Sequence, residues 1–221
     1  MSDKEKQEKN TCNFIGNYSA VIWDFDGVIK DSVEVKTQAY EALFLPYGDN
    51  HSNSVREHHE ANGGMSRFEK IPLYLKNSGL KVTDAKIVDF CNRFSEIVMQ
   101  GVIDSPYVPG VKEYLEKACS DQLFFLATAT PQKEIEVILD SLGLTHCFKK
   151  VFGAPVQKAD AISRVLSFYD LNAEEVLMVG DASSDMVAAE ENSVSFLLRR
   201  TPINLHVQKD FQGAQFENLI L

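Results

Sequence analysis

The sequence predicts an α/β protein, a doubly wound, Rossmann-like parallel sheet core with an all-α cap inserted after the first strand. Three observations predict it. After Gly110, short runs of β-branched and aromatic residues alternate with helical segments, the pattern of parallel strands joined by crossover helices. The span 51–104 is polar, helical in texture and without any strand signal. The chain has 221 residues and is 44% hydrophobic, enough for one large core carrying an insertion.

Taken in order, residues 1–17 are polar and charged and are expected to form a mobile tail. The apolar run Ala20-Val21-Ile22-Trp23 reads as a buried strand, ending in Asp24-Phe25-Asp26-Gly27. Strand side chains alternate, so Asp24 and Asp26 share a direction if the strand persists to Asp26. Gly27 then lets the backbone turn away. Residues 31–47 read as a helix with Ser32 as its N-cap. Within the insertion, helices are expected at about 53–61, 66–77 and 83–101, separated by Asn62-Gly63-Gly64 and Asn77-Ser78-Gly79. Residues 104–110 form a linker. The core resumes with a helix at 110–119, a strand at 122–128 and a helix at 131–142, with Pro131 as its first residue and Gly143 as its stop. Strands at 150–153, 176–180 and 194–198 follow, with helices at 157–169 and 184–191. The tail reads as a helix and a short edge strand at 216–220. This divides the chain into a core of 18–31 and 106–221 around a cap of 32–105.

Composition narrows the functional classes. A net charge of −10 argues against nucleic acid or an anionic membrane as partner, because phosphate backbones demand a basic face. It leaves room for a small anionic substrate met by local cations or a metal. No apolar run approaches the roughly 18 residues of a membrane span, and the N-terminus has no apolar signal region. The four cysteines, Cys12, Cys91, Cys119 and Cys147, are scattered and read as ordinary reduced thiols, as expected of a cytoplasmic protein. Nothing demands more than a monomer.

Polar residues gather where the strands end. In an open α/β sheet, ligands bind at the carboxyl edge. Asp24 and Asp26 close the first strand and Thr128 closes the second, with Ala129 and Thr130 leading into the next helix. Lys158 opens the helix at 157–169 and reads as an exposed lysine; Asp181 closes the fourth strand, with Asp185 one turn later. Singly, each residue reads as a turn or a helix cap. Together they supply a carboxylate nucleophile, an acid/base, an anion pocket, a lysine and metal-ligating carboxylates. That set suits phosphoryl transfer.

In this order the motifs resemble those of the haloacid-dehalogenase superfamily, in the subgroup with a helical cap after the first strand. Asp24-Phe25-Asp26-Gly27-Val28 matches the first motif, Thr128 the second, Lys158 the third, and Gly180-Asp181-Ala182-Ser183-Ser184-Asp185 with Ala188-Ala189 the fourth. The resemblance spans about Ala20 to Phe196. It implies that Asp24 attacks phosphorus and becomes an aspartyl phosphate, while Asp26 protonates the leaving oxygen and then activates water. Thr128 and Lys158 would bind phosphoryl oxygens, with Gly27, Ala129 and Thr130 beside them. Mg²⁺ would be held by Asp24, the Asp26 backbone carbonyl, Asp181 and, through water, Asp185. Members that displace halide or cleave carbon–phosphorus bonds lack the second aspartate, so Asp26 points to phosphate esters.

The expected activity is Mg²⁺-dependent phosphatase action on a small phosphorylated metabolite, a sugar phosphate or a phosphoglycolate-like compound. A phosphomutase and a non-catalytic binding protein are the alternatives. In the cap, Gly64 and Arg67 fall in a Gly-x-Ser-Arg loop like that of the β-phosphoglucomutase branch. That branch has a histidine where this chain has Lys36. Arg67 reads equally as a clamp for an anionic group or hydroxyl and, with Lys70, as a solvated helix face. His51, His58 and His59 read as surface histidines.

Overall fold

The computed structural model describes residues 11–219. The sheet is built from β1 (Ala20–Trp23), β2 (Leu123–Pro131), β3 (Lys150–Ala154), β4 (Val176–Gly180), β5 (Ser195–Arg199) and β6 (Gln215–Phe216). All pair in parallel in the order β3-β2-β1-β4-β5-β6. β1 lies at the centre, and the order reverses beside it, where such sheets bind ligands.

The apolar runs are continuous because both faces are covered. Val21, Trp23, Phe124, Leu126, Leu177 and Val179 enter one core; Ala20, Ile22, Phe125, Ala127, Val176 and Met178 enter the other. On the first face Trp23 meets Phe124 edge-on at 5.8 Å and Tyr114 at 6.0 Å. Leu126, Trp23 and Val179 lie side by side in the register. Asp24, Thr128 and Asp181, one or two residues beyond them, therefore emerge together at one sheet edge.

Between β1 and the core helix α5 (Val111–Ala118) lie four helices: α1 (Val33–Phe44), α2 (Asp49–Ala61), α3 (Arg67–Asn77) and α4 (Asp84–Asp104). They hold together through an aromatic cluster, with Tyr40 4.1 Å from Phe94 and 5.6 Å from Tyr74, and Phe44 5.4 Å from Phe90. The core helices are α6 (Gln132–Ser141), α7 (Lys158–Tyr169), α8 (Ser183–Glu191) and α9 (Leu205–Asp210). Among the described residues no helix is long and apolar enough to cross a membrane.

Several local expectations are revised. Residues 11–16 are helical and Ile15 is fully buried against the main core; Gln122 Nε2 donates to the carbonyls of Ile15 at 2.8 Å and Tyr18 at 2.6 Å. The first ten residues of the expected tail lie outside the described residues, as does the end of the expected strand at 216–220. Ser32 occupies the N-cap of α1 without capping it, because its hydroxyl donates to Asp26 Oδ1 at 2.6 Å. β2 runs past Thr128 to Pro131, which pairs with Ala154 and forms the N-cap of α6 rather than its first residue.

Candidate active site

β1 stops at Trp23, so the two aspartates do not share a direction. The Phe25 carbonyl accepts from the amides of Val28, Ile29 and Lys30, and Gly27 turns the chain at φ 77°. A Cβ at Gly27 would lie 2.1 Å from Asp181 Oδ2, so only glycine fits this turn. Asp24 faces Lys158 and Asp181; Asp26 faces Lys36.

Asp24, Asp181 and Asp185 are all buried, and one carboxylate oxygen from each lies within 4.8 Å of the other two. Lys158 Nζ contacts Asp24 Oδ2 at 2.9 Å and also pairs with Asp185. Lys158 is thus a buried cation, not an exposed one, and its partners outweigh its desolvation to push its pKa up. One lysine cannot neutralise three carboxylates. Burial, with Asp185 and Asp26 adding to it against Lys158, raises Asp24 to about 7. Burial, then Asp24 and Asp185, raises Asp181 well above the carboxylate range. An excess of buried carboxylate at hard-oxygen spacing fits a divalent cation such as Mg²⁺. Asn204 fixes the Asp181 segment, its Nδ2 donating to the Asp181 carbonyl at 2.7 Å and the Arg199 carbonyl at 2.8 Å.

Asp26 has the opposite environment. Burial alone would raise it, but the Lys36 ammonium and hydrogen bonds from Lys36, Ser32 and Thr130 bring it below the usual value. Thr130 Oγ1 donates to Asp26 Oδ2 at 3.2 Å and accepts from Lys36 Nζ at 2.8 Å. Two neighbouring carboxylates are therefore driven in opposite directions, the usual sign of divided catalytic roles.

These groups open into a cleft of about 790 Å³, the space at its mouth included, between sheet edge and cap. Asp24, Asp26, Lys36, Gly64, Arg67, Thr128, Ala129, Lys158 and Asp181 all line it. Gly27, Thr130 and Asp185 are not among its lining residues. Thr130 supports Asp26 rather than facing the cleft. Tyr40 and the segment around Asn204 line it too and were not singled out in the sequence, and His59, read from the sequence as a surface histidine, lines it as well; no local pattern places them there, since α1, α2 and the residues after β5 meet only in three dimensions.

The cap side revises three expectations. Arg67 is buried, neither a solvated face nor a free clamp: its guanidinium forks onto both Glu134 oxygens of α6, at 2.8 and 2.6 Å, and stacks 4.6 Å from the Phe94 ring. This pair ties cap to core. Lys70 is fully buried, with Nζ 2.8 Å from Nδ1 of His59, itself buried rather than on the surface. Burial, then the nearby Lys36, pushes Lys70 down to about 7, and burial with Lys70 holds His59 well below its usual value. The unfolded state binds Lys70's proton more tightly, so this lysine costs stability below about pH 7, and the cost fades as pH rises towards 10.5. Lys70→Met is expected to raise the thermal midpoint of the unliganded protein at pH 7, with the gain shrinking by pH 10; a gain independent of pH overturns this reading.

Gly64 packs directly against the core. A Cβ there would lie 1.6 Å from Ser184 Oγ of α8. Gly64→Ala is expected to hold the cap off the sheet edge, lowering kcat/KM by about 10²-fold, the order expected for a misplaced binding wall, while the thermal midpoint stays near that of the wild type. Steady-state kinetics beside a melting curve check it.

Sheet, cap and carboxylate edge define a Rossmann-like α/β protein with a helical cap over its cleft. Residues 21–198 match the family model for haloacid dehalogenase-like hydrolases, and the chain belongs to that family. It is 30% identical over 189 residues to a phosphorylated carbohydrates phosphatase of Thermotoga maritima, covering 79% of this chain and 82% of the relative. It is 35% identical over 88 residues to a phosphoglycolate phosphatase of Vibrio cholerae, 37% of this chain and 39% of the relative. The fold matches a mutant CbbY from Rhodobacter sphaeroides in complex with xylulose-(1,5)bisphosphate, with a TM-score of 0.72 at 16% identity over 91% of this chain and 95% of that one.

Proposed function

We propose that this protein is a Mg²⁺-dependent phosphatase acting on a small phosphorylated metabolite, a sugar phosphate or a phosphoglycolate-like compound, through an aspartyl phosphate. The observation that carries it is the divergence of Asp24 and Asp26: one buried among carboxylates beside Lys158, the other ionised and held by Lys36, Ser32 and Thr130. The relatives named for phosphorylated carbohydrates and phosphoglycolate support the substrate class.

In this reading an Asp24 oxygen attacks phosphorus and the ester P–O bond breaks. The proton for the leaving oxygen comes from the Asp26–Lys36 pair. Asp26 then takes a proton from the water that opens the aspartyl phosphate. Lys158 and the Thr128 hydroxyl hold phosphoryl oxygens. Asp24, Asp181, Asp185 and the Asp26 carbonyl would hold Mg²⁺, which supplies charge neutralisation of the phosphoryl group when bound. Lys36, standing where the mutase branch has histidine and engaged with Asp26, favours release of phosphate over its return to sugar.

The test is phosphate release from a panel of phosphorylated sugars, phosphoglycolate, nucleotides and pyrophosphate. Release is expected from one class, lost in excess chelator and restored by Mg²⁺. Isomer conversion without phosphate release assigns a mutase instead; full activity in chelator overturns the metal.

A further inference from the structure

Two cysteines that the sequence leaves 28 residues apart meet in the fold. Cys119 follows α5, just before the chain enters β2. His146 and Cys147 lie in the single helical turn Thr145–Cys147, just before β3. One ligand atom from each of Cys119, His146 and Cys147 falls within 4.8 Å of the other two. Cys147 is buried, Cys119 half-buried and His146 exposed, so the cluster has a dry floor and an open mouth.

The His146–Cys147 spacing matches that of a metal polyhedron. Tetrahedral zinc bonds of about 2.3 Å to sulfur and about 2.05 Å to nitrogen place the two donors about 3.6 Å apart. Cys147 Sγ and His146 Nε2 are 3.5 Å apart. Neither sulfur has a strong partner: Cys119 Sγ reaches the Glu116 carbonyl only at 3.7 Å. Glu116, one turn earlier on α5, brings a carboxylate whose charge acts on Cys147. Thiolate and imidazole donors select a borderline-soft ion over Mg²⁺.

We propose that Cys119, His146 and Cys147 form a zinc site at the amino edge of the sheet, separate from the catalytic carboxylates. Thr128 lies five residues along β2 from Leu123, so roughly a strand's length of ~17 Å separates the two edges. A cation here clamps the turn before β2 to the turn before β3. Its role is stability: an ion that binds only the folded state raises the melting point by mass action.

The experiment uses the full, metal-stripped chain and Co²⁺ as a spectroscopic stand-in for zinc. Only thiolate ligation gives the sulfur-to-metal charge-transfer absorption, which separates this site from the carboxylate cluster. The band is expected to saturate at one equivalent of Co²⁺ and to persist in Asp181→Asn. It should vanish in Cys119→Ser, and in His146→Ala, at an exposed position, Co²⁺ should bind about tenfold or more weakly. Zn²⁺ should raise the thermal midpoint of the wild type and not of Cys119→Ser. Absence of the band, a band unchanged in both variants, or a Cys119–Cys147 disulfide in the freshly isolated protein overturns the proposal.

Discussion

Asp24→Asn is expected to abolish phosphate release, by about 10⁴-fold or more, the scale seen when a covalent nucleophile is removed. The amide keeps the shape but cannot attack phosphorus. The fold should not suffer. Burial raises Asp24 to about 7, so in metal-free protein this carboxylate opposes folding as pH rises from 3.8 through 7. Asparagine removes that cost, and Lys158 keeps Asp185 as its counter-ion. The thermal midpoint of the metal-free variant at neutral pH should therefore equal or exceed that of the wild type, the two converging near pH 4. A silent variant that is also less stable at pH 7 would place Asp24 in structure instead of chemistry.

Asp26→Asn should have the next largest effect, about 10²–10⁴-fold on turnover, the range for loss of a general acid or base. Here the structure adds a distinction. Lys36, Ser32 and Thr130 all point at this carboxylate, and a neutral amide in its place would leave the largely buried Lys36 ammonium without its negative partner. The asparagine variant is therefore expected to melt lower than the wild type, in contrast to Asp24→Asn, because removing one member of a largely buried pair strands the other. If the phosphoryl-enzyme forms but persists in Asp26→Asn, trapped by rapid quench with a substrate whose leaving group needs no proton, the defect lies in water activation. If no phosphoryl-enzyme forms even then, Asp26 is required for the first step in a role other than proton donation.

Much of this was legible in the sequence because it is local. Strand runs such as Val176–Gly180 are set by apolar continuity, and the edge residues Asp24, Thr128 and Asp181 follow directly from where those runs end. The helical cap was visible as an absence of strand pattern between the first strand and Gly110. Boundaries erred where a side chain had a distant partner. Ser32 reads as an N-cap because serine caps helices, yet Asp26 is the better acceptor once the turn at Gly27 brings it near. Residues 11–16 look like a polar tail because their one deeply buried apolar side chain, Ile15, gains its partners only from the assembled sheet.

The sequence by itself determined the fold class, the order of motifs and the identity of the sheet-edge acids. Periodicity and turn chemistry act over a few residues and are written in the chain. Tertiary structure alone decided the charge states and pairings: that Lys158 is buried between two acids, that Arg67 is spent on Glu134, that Lys70 and His59 share the cap wall, and that Cys119 meets Cys147. Desolvation and Coulomb interaction depend on which groups lie within a few ångströms, and that distance is fixed by packing between elements far apart in sequence.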